Sequence, residues 1–234
     1  MPGLQGYWAL DETSGQRRDS SGRANHLADN NTVGSAAGRV GLAADLESDN
    51  QEYLSIGDAG QNGLDIRGSL TLVGWMNAER LDDWLVLAAK YDFGSSNNRA
   101  YRLDVRYADA VGLIVSPNGG LSSSGYVLEA HPASPLSVGR WYHVAGVYDA
   151  TRRTMSVYLD GDLIGSRSVS YSTVYNSSAP FMLGANVQGS QVVQHFDGRL
   201  DDWRVYSRAL SEGEIEGLMA SSAPTPTVTP VSGP

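Results

Sequence analysis

The feature that most constrains this chain is a period-two alternation of apolar and polar residues in short runs. In the run YRLDVRY, the apolar Tyr101, Leu103 and Val105 alternate with charged residues. The same period recurs in SLTLVGWMN (69–77), VGLIV (111–115), WYHVAGVYD (141–149) and TMSVYL (154–159). A repeat of two sends successive side chains to opposite faces of a sheet. The pattern therefore predicts an all-β protein of about a dozen antiparallel strands, packed as two sheets.

Turn and cap signals set the limits of these elements. Asp160-Gly161 between two apolar runs is a strong two-residue hairpin signal, because that turn needs positive φ at both positions. One short helix is predicted near the C-terminus, where Ser211 and Glu214 form a capping box. Residues 1–220 are predicted to form one domain. Residues 221–234 are rich in Pro and Thr and are predicted to form a linker or a disordered tail.

Composition excludes several classes of function. The chain has 17 basic and 26 acidic residues, a net charge of −9, which disfavours binding to nucleic acid or to an anionic membrane surface. It has no cysteine, so disulfide scaffolds and thiolate metal sites are excluded. No run of apolar residues is long enough to span a membrane, and we expect no membrane insertion.

Several segments together carry a family resemblance. They are the opening GYWALDETSGQRRDSSGRANHLADNN, the central strand SLTLVGWMNAE, the segment GRWYHVAGVYDATRRTMSVYLDGDLIG and the closing FDGRLDDWRVYSRALSEGEI. In this order they resemble the laminin-G-like, concanavalin A-like jelly-roll modules of secreted bacterial proteins. The resemblance implies a jelly-roll sandwich of two antiparallel sheets. It also implies a secreted or cell-surface location, as a monomeric module of a larger protein.

The same resemblance implies a calcium site. In the resembled family, a loop aspartate, a loop asparagine and an aspartate of the closing strand hold calcium, and these correspond here to Asp19, Asn25 and Asp201. Glu47, which stands where the family usually has aspartate, is a weaker fourth ligand. Calcium prefers such hard oxygen ligands. The alternative is that Asp19 and Asn25 form Asx-turns while Asp201 accepts backbone hydrogen bonds.

A sugar-binding face would present aromatic rings beside planar polar groups. The candidates are Trp84, which lies in a polar segment, and Tyr91, Tyr101 and Tyr126, which border polar loops. The alternative for each is that the ring closes an edge of the sandwich.

Three functions follow from these residues. The first is a noncatalytic, calcium-stabilised module that binds carbohydrate or another extracellular ligand. The second is a glycoside hydrolase or lyase of the same fold. Glu47 and Glu52 fit the spacing E-x-D-x-x-E of glucanases, but the intervening Ser48, Asn50 and Gln51 are typical of a polar turn. The third is a structural adhesion or spacer domain without a small ligand.

Overall fold

The computed structural model describes residues 1–94, 97–121 and 126–221. The strands, in chain order, are β1 (Leu4–Trp8), β2 (Ala28–Asn30), β3 (Gly34–Ala37), β4 (Leu42–Leu46), β5 (Tyr53–Ile56), β6 (Leu70–Ala78), β7 (Trp84–Tyr91), β8 (Arg99–Arg106), β9 (Ala110–Gly119), β10 (Val127–Ala130), β11 (Trp141–Asp149), β12 (Thr154–Leu159), β13 (Asp162–Ser168), β14 (Phe181–Leu183), β15 (Asn186–Gln188), β16 (Gln191–Val193) and β17 (Gly198–Tyr206). Two short 3-10 helices cover Ser48–Asn50 and Asp58–Gly60, and the α-helix α1 covers Glu212–Ser221.

The strands form two large antiparallel sheets. The first sheet has the order β13-β12-β11-β6-β17-β4-β3, and β1 also pairs with β17. The second sheet has the order β10-β9-β8-β7-β14-β5-β2, and β15 and β16 form a separate hairpin. Both sheets also pair strands that are distant in sequence, as in β6 beside β17 and β7 beside β14. The predicted jelly-roll sandwich with one short C-terminal helix is confirmed.

The core fills the space between the two sheets with large aromatic and aliphatic side chains. Trp8 and Phe181 stack with their ring centroids 5.2 Å apart. Trp203 packs flat against the backbone of Gly74, where an added Cβ would lie 2.5 Å from the indole ring. Glycine is therefore required in this central strand, because any side chain at position 74 would displace the tryptophan.

The strands of the second sheet carry a different set of side chains on their other face. Along β8, Tyr101, Leu103 and Val105 belong to the core, so the alternate residues of this strand face away from it. Cross-strand pairing then places Trp84 opposite Arg106. We call this surface the outer face of the second sheet.

The helix α1 covers the corresponding face of the first sheet, where Ile215 and Leu218 pack in a small apolar cluster. The predicted capping box is present: Ser211 N–H donates to Glu214 at 2.9 Å, and Glu214 N–H donates back to the serine hydroxyl at 3.4 Å. The predicted tail lies outside the described residues, apart from Ser221, which ends the helix. Within the ranges described above, no helix is long and apolar enough to cross a membrane.

Candidate functional site

A cleft of about 420 Å³ lies on the outer face of the second sheet. Strands β7, β8, β9 and β10 supply its floor, and β13 of the first sheet supplies part of its rim. We call it the arginine cleft. Its lining residues are Trp84, Tyr91, Phe93, Arg102, Arg106, Ile114, Leu121, Val127, Leu128, Glu129 and Arg167.

The floor of the arginine cleft is a network of buried charges. Asp104 is fully buried, and one of its oxygens accepts hydrogen bonds from Nε and Nη2 of Arg102 at 2.7 Å. Its other oxygen accepts from Nε of Arg106 at 2.8 Å. Arg106 also pairs with Glu129, whose side chain is 45% exposed. Burial alone would lower the pKa of Arg106, but the charges and hydrogen bonds of Asp104 and Glu129 outweigh it and raise that pKa. The guanidinium therefore stays charged.

The hairpin formed by β15 and β16 helps to hold this network. Nη1 of Arg102 donates to the side-chain oxygens of Asn186 at 2.7 Å and Gln194 at 2.8 Å. The hairpin is itself anchored by an isolated bridge between Asp92 and Val187. Because all these partners are placed by backbone elements, Arg102 is fixed before any ligand arrives.

Two aromatic side chains of the cleft stack against the arginines. The Arg106 guanidinium carbon lies 4.7 Å from the centroid of the Trp84 ring, and that of Arg102 lies 5.1 Å from the centroid of the Tyr91 ring. Tyr91 is 1% exposed, and its hydroxyl has no hydrogen-bond partner among the described residues. Burial raises the pKa of Tyr91, so the hydroxyl stays protonated and can donate. The structure thus brings together two of the four predicted aromatic residues.

The other two lie elsewhere. Tyr101 is fully buried in the core and donates its hydroxyl to the Leu64 carbonyl at 2.8 Å, so it cannot reach a ligand and the sequence-based assignment was wrong. In the apolar–polar alternation of β8, Tyr101 lies on the apolar face, which predicts that it faces the core. Tyr126 precedes β10 and packs edge-on against Tyr171, with ring centroids 5.5 Å apart. It does not line the arginine cleft.

Sequence reasoning also missed the charged residues of the cleft. Arg102, Asp104 and Arg106 occupy alternate positions of one strand whose other face is apolar. The register sets Asp104 opposite Gly112, where an added Cβ would lie 2.1 Å from the Asp104 carboxylate. An R-x-D-x-R pattern on one face of an internal strand, with glycine on its neighbour, is the signal that could have found them.

Comparison with known proteins assigns the chain to a family. A model described as "Concanavalin A-like lectin/glucanases superfamily" matches residues 48–216, which is most of the chain. The chain belongs to this superfamily. The superfamily match spans β5 to β17 and includes every residue that lines the arginine cleft.

Individual relatives within the same jelly-roll architecture are distant in sequence. Paraclostridial mosquitocidal protein 1 of Paraclostridium bifermentans is 23% identical over 226 residues, which is 92% of this chain but only 17% of that protein. The structure of its binding domain aligns with a TM-score of 0.71 at 17% identity, over 94% of this chain and 52% of that one. The chain thus spans about half of this relative's binding domain.

Two further structures of this fold contain bound sugars. Domain 4 of an extracellular arabinanase from Geobacillus stearothermophilus, in complex with arabinotriose, aligns with a TM-score of 0.67 at 20% identity, over 92% of this chain and 98% of that one. A sialidase CBM40 from Ruminococcus gnavus, bound to α2,3-sialyllactose, aligns with a TM-score of 0.60 at 17% identity, over 77% of this chain and 96% of that one. Each of these similarities shows that the chain shares the fold of the compared structure.

The loop that the superfamily resemblance assigned to calcium is held by hydrogen bonds. One oxygen of Asp19 accepts from the backbone N–H groups of Tyr7 and Ser21, and the other accepts from the Ser21 hydroxyl and the Asn25 N–H, all at 2.8–2.9 Å. The Asn25 side-chain oxygen accepts from Asn62 N–H. Each oxygen of Asp19 thus accepts two hydrogen bonds and that of Asn25 accepts one, so these bonds hold the loop without a metal ion.

Asp201 is different. It is fully buried on β17; one oxygen accepts from Val40 N–H at 2.9 Å and the other has no partner among the described residues. Burial, more than the neighbouring charges of Asp202 and Asp11, raises the pKa of Asp201 to about 7. In the described part of the chain, no group of three His, Cys, Asp or Glu is placed to hold a metal ion.

The two glutamates of the glucanase spacing have unlike surroundings. Residues 48–50 form the 3-10 turn between them, and Glu52 closes it by accepting from Glu47 N–H at 3.0 Å and Asn50 Nδ2 at 3.1 Å. Glu52 is buried, whereas Glu47 is exposed. Although Glu47 is exposed, a partial loss of hydration and the nearby carboxylates, Asp197 first among them, raise the pKa of its side chain. Glu52 therefore has a structural role in the turn.

Proposed function

We propose that this chain is a binding module for carbohydrate and that the arginine cleft is its binding site. The observation that carries the proposal is the combination of Trp84 with a pre-ordered network of planar charged groups in one cleft. Sugar rings present apolar C–H faces that stack on tryptophan, and their hydroxyls take hydrogen bonds from planar polar groups. Structural relatives that hold arabinotriose or sialyllactose support this class of ligand.

The test is a binding measurement on a glycan panel that includes arabinotriose and α2,3-sialyllactose. The measurement is then repeated after substitution of Trp84. Trp84→Ala should weaken binding at least tenfold, about 1.4 kcal/mol, because the stacking surface is removed. Trp141→Ala is the matched control, since Trp141 is a half-buried tryptophan of the first sheet that does not line the cleft. Equal losses in both variants, or no binding to any glycan, would contradict the proposal. The latter result would favour a structural spacer.

We further propose that the module acts outside the cell as part of a larger protein. The arabinanase among the structural relatives is extracellular, and the chain matches only part of its toxin relative. Calcium stabilisation is a separate proposal. It rests on Asp201, whose buried carboxylate has an oxygen without a partner among the described residues. A cation there would offset the cost of burying this charge.

A further inference from the structure

The charge of the arginine cleft is opposite to that of the chain. The chain carries a net charge of −9, yet three arginines and a single glutamate line the cleft. Even when the buried Asp104 is counted against them, the cleft keeps one positive charge in excess. A local positive field in an acidic protein selects among ligands by their charge.

The floor of the cleft holds two arginines and one carboxylate. One carboxylate, Asp104, serves both Arg102 and Arg106, and the other partners of Arg102 are the neutral side chains of Asn186 and Gln194. Both arginines are at least nine-tenths buried. Charges in such surroundings are screened less than charges at the surface, so their field extends into the cleft.

A third cation stands at the rim. Arg167 of β13 donates from Nη1 to the Val127 carbonyl of β10, which keeps its guanidinium beside the cleft. Arg106 faces the same space and is balanced there by Glu129. Since Glu129 is half-exposed, a carboxylate brought by a ligand can compete with it for Arg106.

The remaining walls are apolar. Ile114, Val127 and Leu121 line the cleft together with the ring of Trp84, so an inorganic anion would leave most of the lining uncovered. The Tyr91 hydroxyl is buried, so the polar groups open to a ligand are those of Arg106, Glu129 and Arg167. A ligand that fits must combine a negative charge with apolar C–H surface and hydroxyl groups.

We infer that the arginine cleft takes an acidic saccharide, one whose sugar ring carries a carboxylate, in preference to a neutral one. This inference rests on the proposed carbohydrate-binding function. Sialic acids and uronic acids share the chemistry in question. The carboxylate lies toward Arg106 and Arg167, and the C–H face of the ring lies against Trp84.

The experiment compares each acid with its own methyl ester, which keeps the shape and removes the charge. Calorimetric titrations use α2,3-sialyllactose, trigalacturonate and their methyl esters, with arabinotriose as a neutral probe. We expect at least one acid to bind tenfold or more tightly than its ester, and this advantage to shrink as salt is raised from 50 to 500 mM. Which acid binds identifies the source of the carboxylate.

Glu129→Gln supplies the second readout, because it removes the competing carboxylate at a half-exposed position. It should strengthen binding of the acid severalfold and change binding of the ester much less. Glu79→Gln is the matched control: Glu79 is 43% exposed and paired with Arg199 outside the cleft, and the change in net charge is the same. An equal gain in both variants would show a bulk charge effect and overturn the inference.

The outcomes separate the two proposals. If arabinotriose or the esters bind as tightly as the acids, the preference for an acidic saccharide is wrong while carbohydrate binding stands. If none of the five probes binds, the preference for an acidic saccharide is wrong, and carbohydrate binding fails as well if no glycan of the wider panel binds. If the acids bind but Trp84→Ala leaves their affinity unchanged, the acidic ligand lies outside the arginine cleft and the inference is overturned.

Discussion

At the scale of single residues, the environment of the buried His143 is set by residues of neighbouring strands. His143 of β11 is 1% exposed and packs against Trp75, with ring centroids 5.0 Å apart. Neither of its ring nitrogens has a partner among the described residues. Burial, with a smaller contribution from Arg204, lowers the pKa of His143 to about 4. The imidazole is therefore neutral in the folded protein under ordinary conditions.

This depressed pKa predicts a pH dependence of stability. The unfolded chain takes up a proton at His143 below about pH 6.5, whereas the folded protein does so only near pH 4. The contribution of His143 to stability is therefore complete above pH 6.5 and is lost as the pH falls toward 4, by on the order of 3 kcal/mol. Denaturant unfolding of wild type and His143→Gln between pH 4 and 8 measures this. The stability difference between the two proteins should shrink as the pH falls.

The control for that measurement is His131→Gln, which removes a histidine whose side chain is 58% exposed. Taking the difference between wild type and variant cancels the opposite contribution of Asp201. Its raised pKa costs stability as the pH rises toward 7. A constant difference between wild type and His143→Gln across the whole range would contradict the assigned burial.

At the scale of elements, the strands of the second sheet are shaped to hold charge on their outer face. Asp104 of β8 fits only because β9 has glycine at the opposite position, Gly112. The β15–β16 hairpin then supplies Asn186 to Arg102. The arginine cleft is thus a property of four neighbouring strands, one hairpin and β13 of the other sheet, and no single segment contains it.

Gly112→Ala tests this dependence. The added methyl group would lie 2.1 Å from the Asp104 carboxylate and 2.6 Å from Nε of Arg106, so the ion network must shift. We expect a loss of about 1–3 kcal/mol in the free energy of unfolding, and weaker glycan binding. Gly57→Ala is the control, because nothing lies within 4 Å of its added Cβ. Equal stability of the two variants in urea would show that the network adapts without cost.

At the scale of the whole molecule, the two ends of the chain meet in the first sheet. Strand β1 pairs with β17, with Trp8 opposite Trp203, and the loop that contains Asp19 is bridged to Trp8. Asp201 lies on the same closing strand, beside Val40 of another loop. An ion bound at Asp201 would stabilise the closure of the domain as a whole.

The calcium proposal predicts that the melting temperature rises with free calcium, because the ion binds the folded state alone. At a hundredfold excess over Kd, the gain is about 2.7 kcal/mol. Melting in EGTA and in millimolar calcium, at neutral pH and constant ionic strength, measures it. Asp201→Asn should abolish the response, since it removes the carboxylate oxygen that has no partner among the described residues. Identical melting of wild type in both conditions would exclude the ion.

The variant Asp19→Asn distinguishes the predicted ligands of the loop, Asp19 and Asn25, from Asp201. Because the Asp19 oxygens accept hydrogen bonds from backbone and hydroxyl donors, this variant should be less stable in both conditions and keep its calcium response. Loss of the response in Asp19→Asn would instead place the loop among the ligands, as the family resemblance implied.

The sequence alone was sufficient for whatever depends on neighbours along the chain. Alternation in β8 predicted the strand and its two faces, and the Ser211–Glu214 capping box predicted the start of α1, because both are set within a few residues. The arginine cleft could not be predicted from neighbours along the chain. Trp84, Arg106 and Glu129 come together only through strand register across β7, β8, β9 and β10, and register is decided by which faces pack against the opposite sheet.

The same reason explains why two predicted site residues lie in surroundings that their local sequence does not show. Tyr101 borders a polar loop, yet tertiary packing buries it, and Asp19 has the composition of a calcium ligand while its backbone neighbours satisfy both oxygens. Residue type limits what a side chain can bind, and local pattern determines which way it points. Whether it meets solvent, a ligand or another strand is decided by contacts between residues far apart in sequence, which only the folded sandwich creates.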